Sequence, residues 1–391
     1  MTPITRDRIT GSTNLIPVLS LGDQAMTGTF PKPGETVPTG PLDLLWCPDS
    51  GLLQLAHQYD AEAMFGDGYG YRSGLNAAMV KHLRAKALFL ARYADYGDVV
   101  LDIGSNDGTL LNAISPAYGR VGMDPTIAKF RGYYAPGVLA IPEFFSAAEY
   151  MSRVGRKAKV VSMVACFYDL LDPVGFCREV ASILADGGVF HIEVADAEVM
   201  IARGIYDGIC HEHACYYTPR VLELALRSAG FTTYYSDKNE VNGGSFNVTA
   251  GLSPQAGSLA SRTFTLSDLR RFAGRVERHK DELQRLLDDL AGRGKHVAGY
   301  GASTKFNVVL QYCNLDSLSL GYIADVNPDK WGCVTPGSGI PIISEDEMRA
   351  DKPDYLLVGP YHFKPGIMQR EQALHDAGTR FIFPFPEIEI V

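Results

Sequence analysis

Long apolar runs are missing. No stretch of the 391 residues stays apolar for the roughly 18 residues that a membrane-spanning helix needs. Met1–Asp7 has no apolar core of the kind a secretion signal carries. A basic excess is missing too. Lys and Arg number 36 against 45 Asp and Glu, a net charge of −9, which argues against nucleic acid or an anionic membrane as a general partner. An anionic small molecule stays open, since a local basic pocket suffices to hold one. Cysteine is sparse: the seven residues are scattered and odd in number, which excludes a disulfide framework and fits reduced thiols in a cytoplasm. The helical H-E-x-x-H spacing of a zinc protease is also absent. What remains is an ordinary globular composition, 46% hydrophobic and 21% charged, in a chain too long for one core.

The chain is organised around Val99-Val100-Leu101-Asp102-Ile103-Gly104-Ser105-Asn106-Asp107-Gly108. It reads as a buried parallel strand, a glycine-bracketed turn and a helix start. Gly104 and Gly108 allow close approach of backbone to a ligand. The next strand ends in Asp124, about 20 residues past the glycines, where a carboxylate commonly accepts from ribose hydroxyls. The pattern is G-x-x-x-G rather than the G-x-G-x-x-G that suits a pyrophosphate. With Asp107 added, the loop fits a cationic, phosphate-free nucleoside, S-adenosylmethionine. The expected cofactor-binding residues are Asp102, Gly104, Ser105, Asn106, Asp107, Gly108 and Asp124, with Glu143, Phe144 and Phe145 as a patch beside the adenine.

Three domains are expected: residues 1–75, 76–235 and 236–391. The first is rich in Gly, Pro and Thr and reads as a small β-rich or irregular lobe, ending in a loop that presents Tyr69, Tyr71 and Arg72. The second alternates strands and helices, which implies a parallel, doubly wound sheet with its site at the strand C-termini. The third opens on a charged amphipathic helix over residues 267–291, read as a linker. A second α/β unit follows, with a strand, a glycine turn and a helix N-terminus at Val297–Lys305. Such a turn suits phosphate. The third glycine of a dinucleotide motif is absent, so NAD binding is a weak expectation there.

The densest cluster of ionisable groups is Tyr206-Asp207-Gly208-Ile209-Cys210-His211-Glu212-His213. In extended backbone His211 and His213 share a face, with Glu212 opposite. Behind a methyl-donor fold, acid–base chemistry is the natural use, and a structural hydrogen-bond knot is the plain alternative.

These motifs in this order resemble the nucleotide-sugar C-methyltransferases, which methylate C-3 of dTDP-linked 4-keto-deoxysugars. The resemblance rests on Leu101–Gly108, Tyr206 with His211-Glu212-His213 and Tyr216, Gly243-Gly244-Ser245, Tyr300-Gly301-Ala302 with Lys305, and Pro336-Gly337 with Ile340-Pro341-Ile342. It implies a class I methyltransferase (Rossmann-like) domain between a small β-rich N-terminal lobe and a second Rossmann-like domain. The family's N-terminal lobe holds zinc with two C-x-x-C pairs. Here those positions read Asp7, Thr10, Cys47 and Ser50, so no metal is expected and the lobe should be held by packing alone. Cys210 stands where the family has tyrosine, Asn242 where it has histidine, and Ala165–Asp169 replaces an Asn-x-x-x-His pattern.

The resemblance implies His213 as the base that removes a proton beside a ketone, with Glu212 orienting it or touching a sugar hydroxyl. His211 joins this group, and Tyr71 or Tyr69 would donate to the enolate oxygen or position the sugar. Tyr69, Arg72, Asn242, Tyr300, Ser303 and Lys305 are the expected substrate-binding residues, with the diphosphate near Arg72 and the Ser303–Lys305 turn. A cytoplasmic monomer or homodimer acting on a nucleotide sugar is expected. The alternatives are O- or N-methylation on the same scaffold, a non-catalytic sugar-nucleotide binder, and an NAD-linked oxidoreductase.

Overall fold

The computed structural model describes residues 1–60, 64, 71–253 and 261–391. Tyr69 lies outside them. In the N-terminal lobe, strands Ile16–Ala25 (β1), Thr39–Trp46 (β2) and Leu53–Leu55 (β3) form an antiparallel sheet. Its fourth strand is Cys215–Tyr216, which comes from far along the chain and pairs with β3. The lobe therefore grips the segment that follows the His-Glu-His cluster. It also grips the last domain, through bonds from Asn307 Nδ2 to Thr27 O (2.7 Å) and from Ala25 N to Gln311 Oε1 (2.7 Å).

Packing alone does not hold the lobe, a correction to the expectation above. Asp7 Oδ1 accepts from Thr10 N and Thr10 Oγ1, both at 2.6 Å, and Ser50 Oγ donates to Asp7 Oδ2 at 2.8 Å. Cys47, fully buried, closes the same turn through bonds with Gly51 and Leu52. Three of the four residues at the zinc positions thus bond to one another.

Helix Ala77–Leu90 (α1), capped by Asn76, leads into the middle sheet. Its strands are Val99–Ile103 (β4), Gly119–Met123 (β5), Val138–Ile141 (β6), Ala158–Val164 (β7), Leu184–Ala195 (β8), Thr232–Asn239 (β9) and Ser245–Gly251 (β10). Their order is β9-β10-β8-β7-β4-β5-β6, parallel except for β10. All five side chains of β4 are buried, which is why it reads as an apolar run, with Asp102 its one charged residue. The sheet runs past residue 235 to Gly251, because β9 and β10 form a hairpin that adds to β8. The expected division at 235/236 cuts through β9.

Helix Leu266–Gly292 (α2) starts at a capping box of Thr265 and Asp268. It buries Leu269, Phe272, Val276, Leu283, Leu287 and Leu290 at the three-to-four spacing of a single apolar face. This is more than a linker. That face lies in one continuous core with the N-terminal lobe and the last domain. The last sheet orders Ile342–Ser344, Ile323–Asp325, Val297–Tyr300, Tyr355–Val358, Arg380–Phe383 and Glu389–Ile390. Its helix Thr304–Tyr312 (α3) follows the second glycine turn. Among the described residues no helix is long and apolar enough to cross a membrane.

Candidate active site

The turn after β4 is held at both ends. Gly104 (φ +71°) donates to Met123 O at 2.9 Å, and Asn106 (φ +49°) donates its N–H to Asp124 Oδ2 at 2.9 Å. Asp124 Oδ1 accepts from Thr126 N at 2.7 Å and from Thr126 Oγ1 at 2.6 Å. An added Cβ would meet Cys166 Sγ at 2.5 Å from Gly104, and the Tyr134 ring at 2.8 Å from Gly108. The glycines are therefore needed by the protein's own packing, whatever ligand approaches. Ser105 Oγ pairs with Tyr134 Oη at 2.8 Å. Asp102 bonds Ser162 Oγ at 2.7 Å; burial, reinforced by the charge of Asp124, pushes its carboxyl up to about 7.

The segment before α1 covers this turn. Ser73 N donates to Asn106 Oδ1 (3.0 Å), Asn106 Nδ2 to Tyr71 O (3.2 Å) and Gly74 N to Asp107 Oδ2 (2.8 Å). Arg72 stacks on Tyr133, 4.3 Å from the ring centroid, and faces Asp107 at 4.0 Å. Tyr71 is exposed, as are Glu143 and Phe144, whereas Phe145 packs on Phe176. Three carboxylates, Asp102, Asp107 and Asp124, thus ring one left-handed turn. That donor set fits a cationic nucleoside, since a positive ligand would relieve the crowding of acids.

The second group of residues faces the end of β7. His213 Nδ1 lies 2.7 Å from Gly208 O. A carbonyl only accepts, so Nδ1 carries the hydrogen and Nε2 keeps the lone pair. The Tyr168 ring lies 4.2 Å from the imidazole, centroid to centroid. Burial, and then the charge of Lys305, hold the imidazole down at about 3, so it is neutral at ordinary pH. The orienting group is the Gly208 carbonyl and not Glu212. Glu212 turns instead toward Gly28 of the N-terminal lobe, where an added Cβ would stand 1.9 Å from Oε1. Burial pushes its carboxyl up to about 7, partly offset by a hydrogen bond from Cys210. Asp169, beside Glu212, is raised by burial and by that neighbour. His211 points away into the lobe: Nε2 lies 3.2 Å from Gly40 O and the ring meets Tyr59 edge-on at 4.7 Å.

Residues 75–236 match a methyltransferase domain family, residues 240–386 a C-methyltransferase C-terminal domain, and residues 8–65 a zinc binding domain. C-methyltransferase NovU of Streptomyces niveus is 30% identical over 414 aligned positions, spanning 100% of this chain and 97% of that protein. The chain belongs to the C-methyltransferase family. It is a methyltransferase whose donor is S-adenosylmethionine. Among solved structures, the CcbJ methyltransferase of Streptomyces caelestis aligns with 14% identity and a TM-score of 0.34, over 43% of this chain and 88% of that one. An S-adenosylmethionine-dependent methyltransferase of Clostridium acetobutylicum aligns with 12% identity and a TM-score of 0.34, over 46% and 93%.

In this C-methyltransferase the zinc positions do not suit the metal. Structural zinc sites are built almost wholly from thiolates and imidazoles. Here one thiol stands with a carboxylate whose two oxygens already accept from Thr10 and Ser50. Among the described residues no group of three or more His, Cys, Asp or Glu is placed to hold a metal ion.

The expected substrate residues divide. Lys305 Nζ donates to Asn242 O at 2.9 Å, and its charge reaches His213, so these three come together at the junction of the middle and last domains. Ser303 is taken up as the cap of α3, accepting from Phe306 N. Tyr300 is buried in its own domain, its hydroxyl bonded to Glu345, Glu371 and Arg370. Arg72 partners Tyr133 and Asp107 and none of the Lys305 group. Gly28 and the Gly208 carbonyl carry no motif signal. Tyr168 and Asp169 do: they sit just past a strand C-terminus, where sites of such sheets lie.

Proposed function

We propose that the chain transfers a methyl group to carbon on a nucleotide-linked 4-keto-deoxysugar, with His213 as the base. The observation that carries this reading is the fixed tautomer of His213: Gly208 O takes Nδ1–H at 2.7 Å, which leaves the Nε2 lone pair to receive a proton. A proton beside a ketone is far too weakly acidic for any side chain unless the enolate is stabilised at the same moment. Nε2 takes the proton, the C–H electron pair forms the C=C bond of the enolate, and the carbonyl π pair moves to the oxygen. The Lys305 charge that disfavours an imidazolium favours that oxyanion. Tyr71, on the covering segment, is the hydroxyl assigned to the same oxygen. Cys210 is fully buried, which leaves that role to residues outside the His-Glu-His segment. Glu212 packs the sugar-facing wall against the N-terminal lobe, and His211 anchors the segment.

Asp102, Gly104, Ser105, Asn106, Asp107, Gly108 and Asp124 would hold the donor, with Glu143, Phe144 and Phe145 along the rim. When bound, S-adenosylmethionine supplies an electrophilic methyl on a cationic sulfur. The test is methyl transfer from labelled donor to dTDP-4-keto-6-deoxyglucose, with the product examined for a new C–CH3 bond. In deuterated water without donor, the wild-type enzyme should exchange the hydrogen beside the ketone, and His213→Asn should not. Transfer to oxygen or nitrogen without any such exchange would replace this reading by O- or N-methylation.

A further inference from the structure

The junction next to the base contains buried polar atoms without hydrogen-bond partners among the described residues. Asp207 is 2% exposed, yet among the described residues neither carboxylate oxygen meets a donor in good geometry, the nearest N–H groups being its own and that of Gly208. The Tyr361 hydroxyl and His362 Nδ1 face the same junction and likewise have no hydrogen-bond partner among the described residues. The turn Val241–Gly243 packs on Tyr361–Phe363, and an added Cβ at Gly243 would stand 2.9 Å from Tyr361 Oη. The absence of a side chain there leaves room for that hydroxyl at the junction. Lys305 spans it, bonded to Asn242 O and acting electrostatically on Asp207, His213 and His362.

Buried polar groups without partners are costly and rare, and a cluster of them beside a base marks a site that a ligand completes. The chemistry of that ligand follows from the charges. A diphosphate would meet the Asp207 carboxylate, which already offsets the Lys305 ammonium. Hydroxyl groups suit the set better, since one donates to Asp207 while another accepts from Tyr361. We propose that Asp207 and Tyr361 bind hydroxyls of the sugar ring and set the enzyme's preference for a hydroxylated sugar over the bare nucleotide. The proposal deepens the substrate reading above and rests on it for the identity of the sugar carrier.

The test uses dTDP and dTDP-glucose as probes, measured by calorimetry on the full chain saturated with S-adenosylhomocysteine. Wild type should bind dTDP-glucose more tightly than dTDP. Asp207→Asn and Tyr361→Phe should each shrink that preference about tenfold, the scale of one hydrogen bond to a charged or buried group, and leave dTDP affinity unchanged. The isosteric pair guards against misfolding, and unchanged S-adenosylhomocysteine affinity reports an intact fold. Two results overturn the proposal: a wild type with no preference for dTDP-glucose, or variants that lose dTDP and dTDP-glucose affinity equally. Methyl transfer to the 4-keto sugar is scored separately. If the preference and its loss appear without any methylation of that sugar, the catalytic reading fails and the hydroxyl site stands.

Discussion

Two glycine turns in this protein share a backbone plan and put it to opposite uses. After the first strand of the middle sheet, Gly104 (φ +71°) donates to Met123 O; after the corresponding strand of the last sheet, Gly301 (φ +83°) donates to Ala324 O. At or just past the end of each neighbouring strand stands an aspartate whose Oδ1 accepts an N–H two residues on, at 2.7 Å in both: Thr126 for Asp124, Asn327 for Asp325. The difference lies in what faces the turn. The first is ringed by carboxylates and covered by the Tyr71–Gly74 segment. The second is plugged by the protein itself. Lys330 Nζ donates to Ala302 O at 2.6 Å, pairs with Asp325 at 3.7 Å and sits over the Phe30 ring, 4.3 Å from its centroid. A lysine brought in by the chain and a phenylalanine from the N-terminal lobe occupy the second turn, which serves domain packing. A glycine turn after a strand is thus a statement about backbone geometry, and the side chains that converge on it decide whether a ligand fits.

The largest expected effect tests whether chemistry faces the first turn. His213→Asn should lower kcat by about a thousandfold, within the range of a general base, with S-adenosylhomocysteine affinity held within about twofold. A parallel loss of affinity in calorimetry would make the imidazole a packing residue. A paired substitution then separates the turns. Gly104→Ala and Gly301→Ala both force a Cβ into a positive-φ site, against Cys166 and Pro360 respectively, each at 2.5 Å. Both should cost roughly 1–3 kcal/mol in denaturant unfolding. Only the first should weaken S-adenosylmethionine, by about tenfold or more; equal losses would erase the distinction.

The carboxylate ring gives a smaller effect with a definite sign. Asp102, raised to about 7 by burial, is mostly neutral at pH 6 and mostly anionic at pH 8. A cationic donor should therefore bind more tightly as pH rises between those values, by up to about tenfold. Asp102→Asn should flatten that profile, and an unchanged slope in the variant would assign the titration elsewhere. The smallest effect concerns the plug. Phe30→Ala removes the ring under Lys330 and should cost about 1 kcal/mol of stability with donor affinity unaltered.

Much of the middle sheet was legible because its central strands are buried on both faces and read as apolar runs. What escaped was non-local. The pairing of Cys215–Tyr216 with β3 involves a strand too short to show any period, and Glu212 meets Gly28 only through the lobe's docking. The short strands Ile342–Ser344 and Glu389–Ile390 left no pattern either. In the site, His213 and Lys305 were each marked by residue type, and the structure brings them together. Tyr300 was marked by position in a motif, but a buried ion network claims its hydroxyl. Asp207 falls in the ionisable cluster without a role of its own there, and Tyr361 and His362 bear no signature until two domains meet around them.

The Asp7 turn has a consequence for how the lobe is held. One carboxylate gathers two hydroxyl side chains and two backbone N–H groups into the corner. What the corner rests on is a single side chain: without the Asp7 carboxylate, Ile9, Thr10 and Ser50 lose their shared acceptor, and the lobe's grip on Cys215–Tyr216 loosens with them.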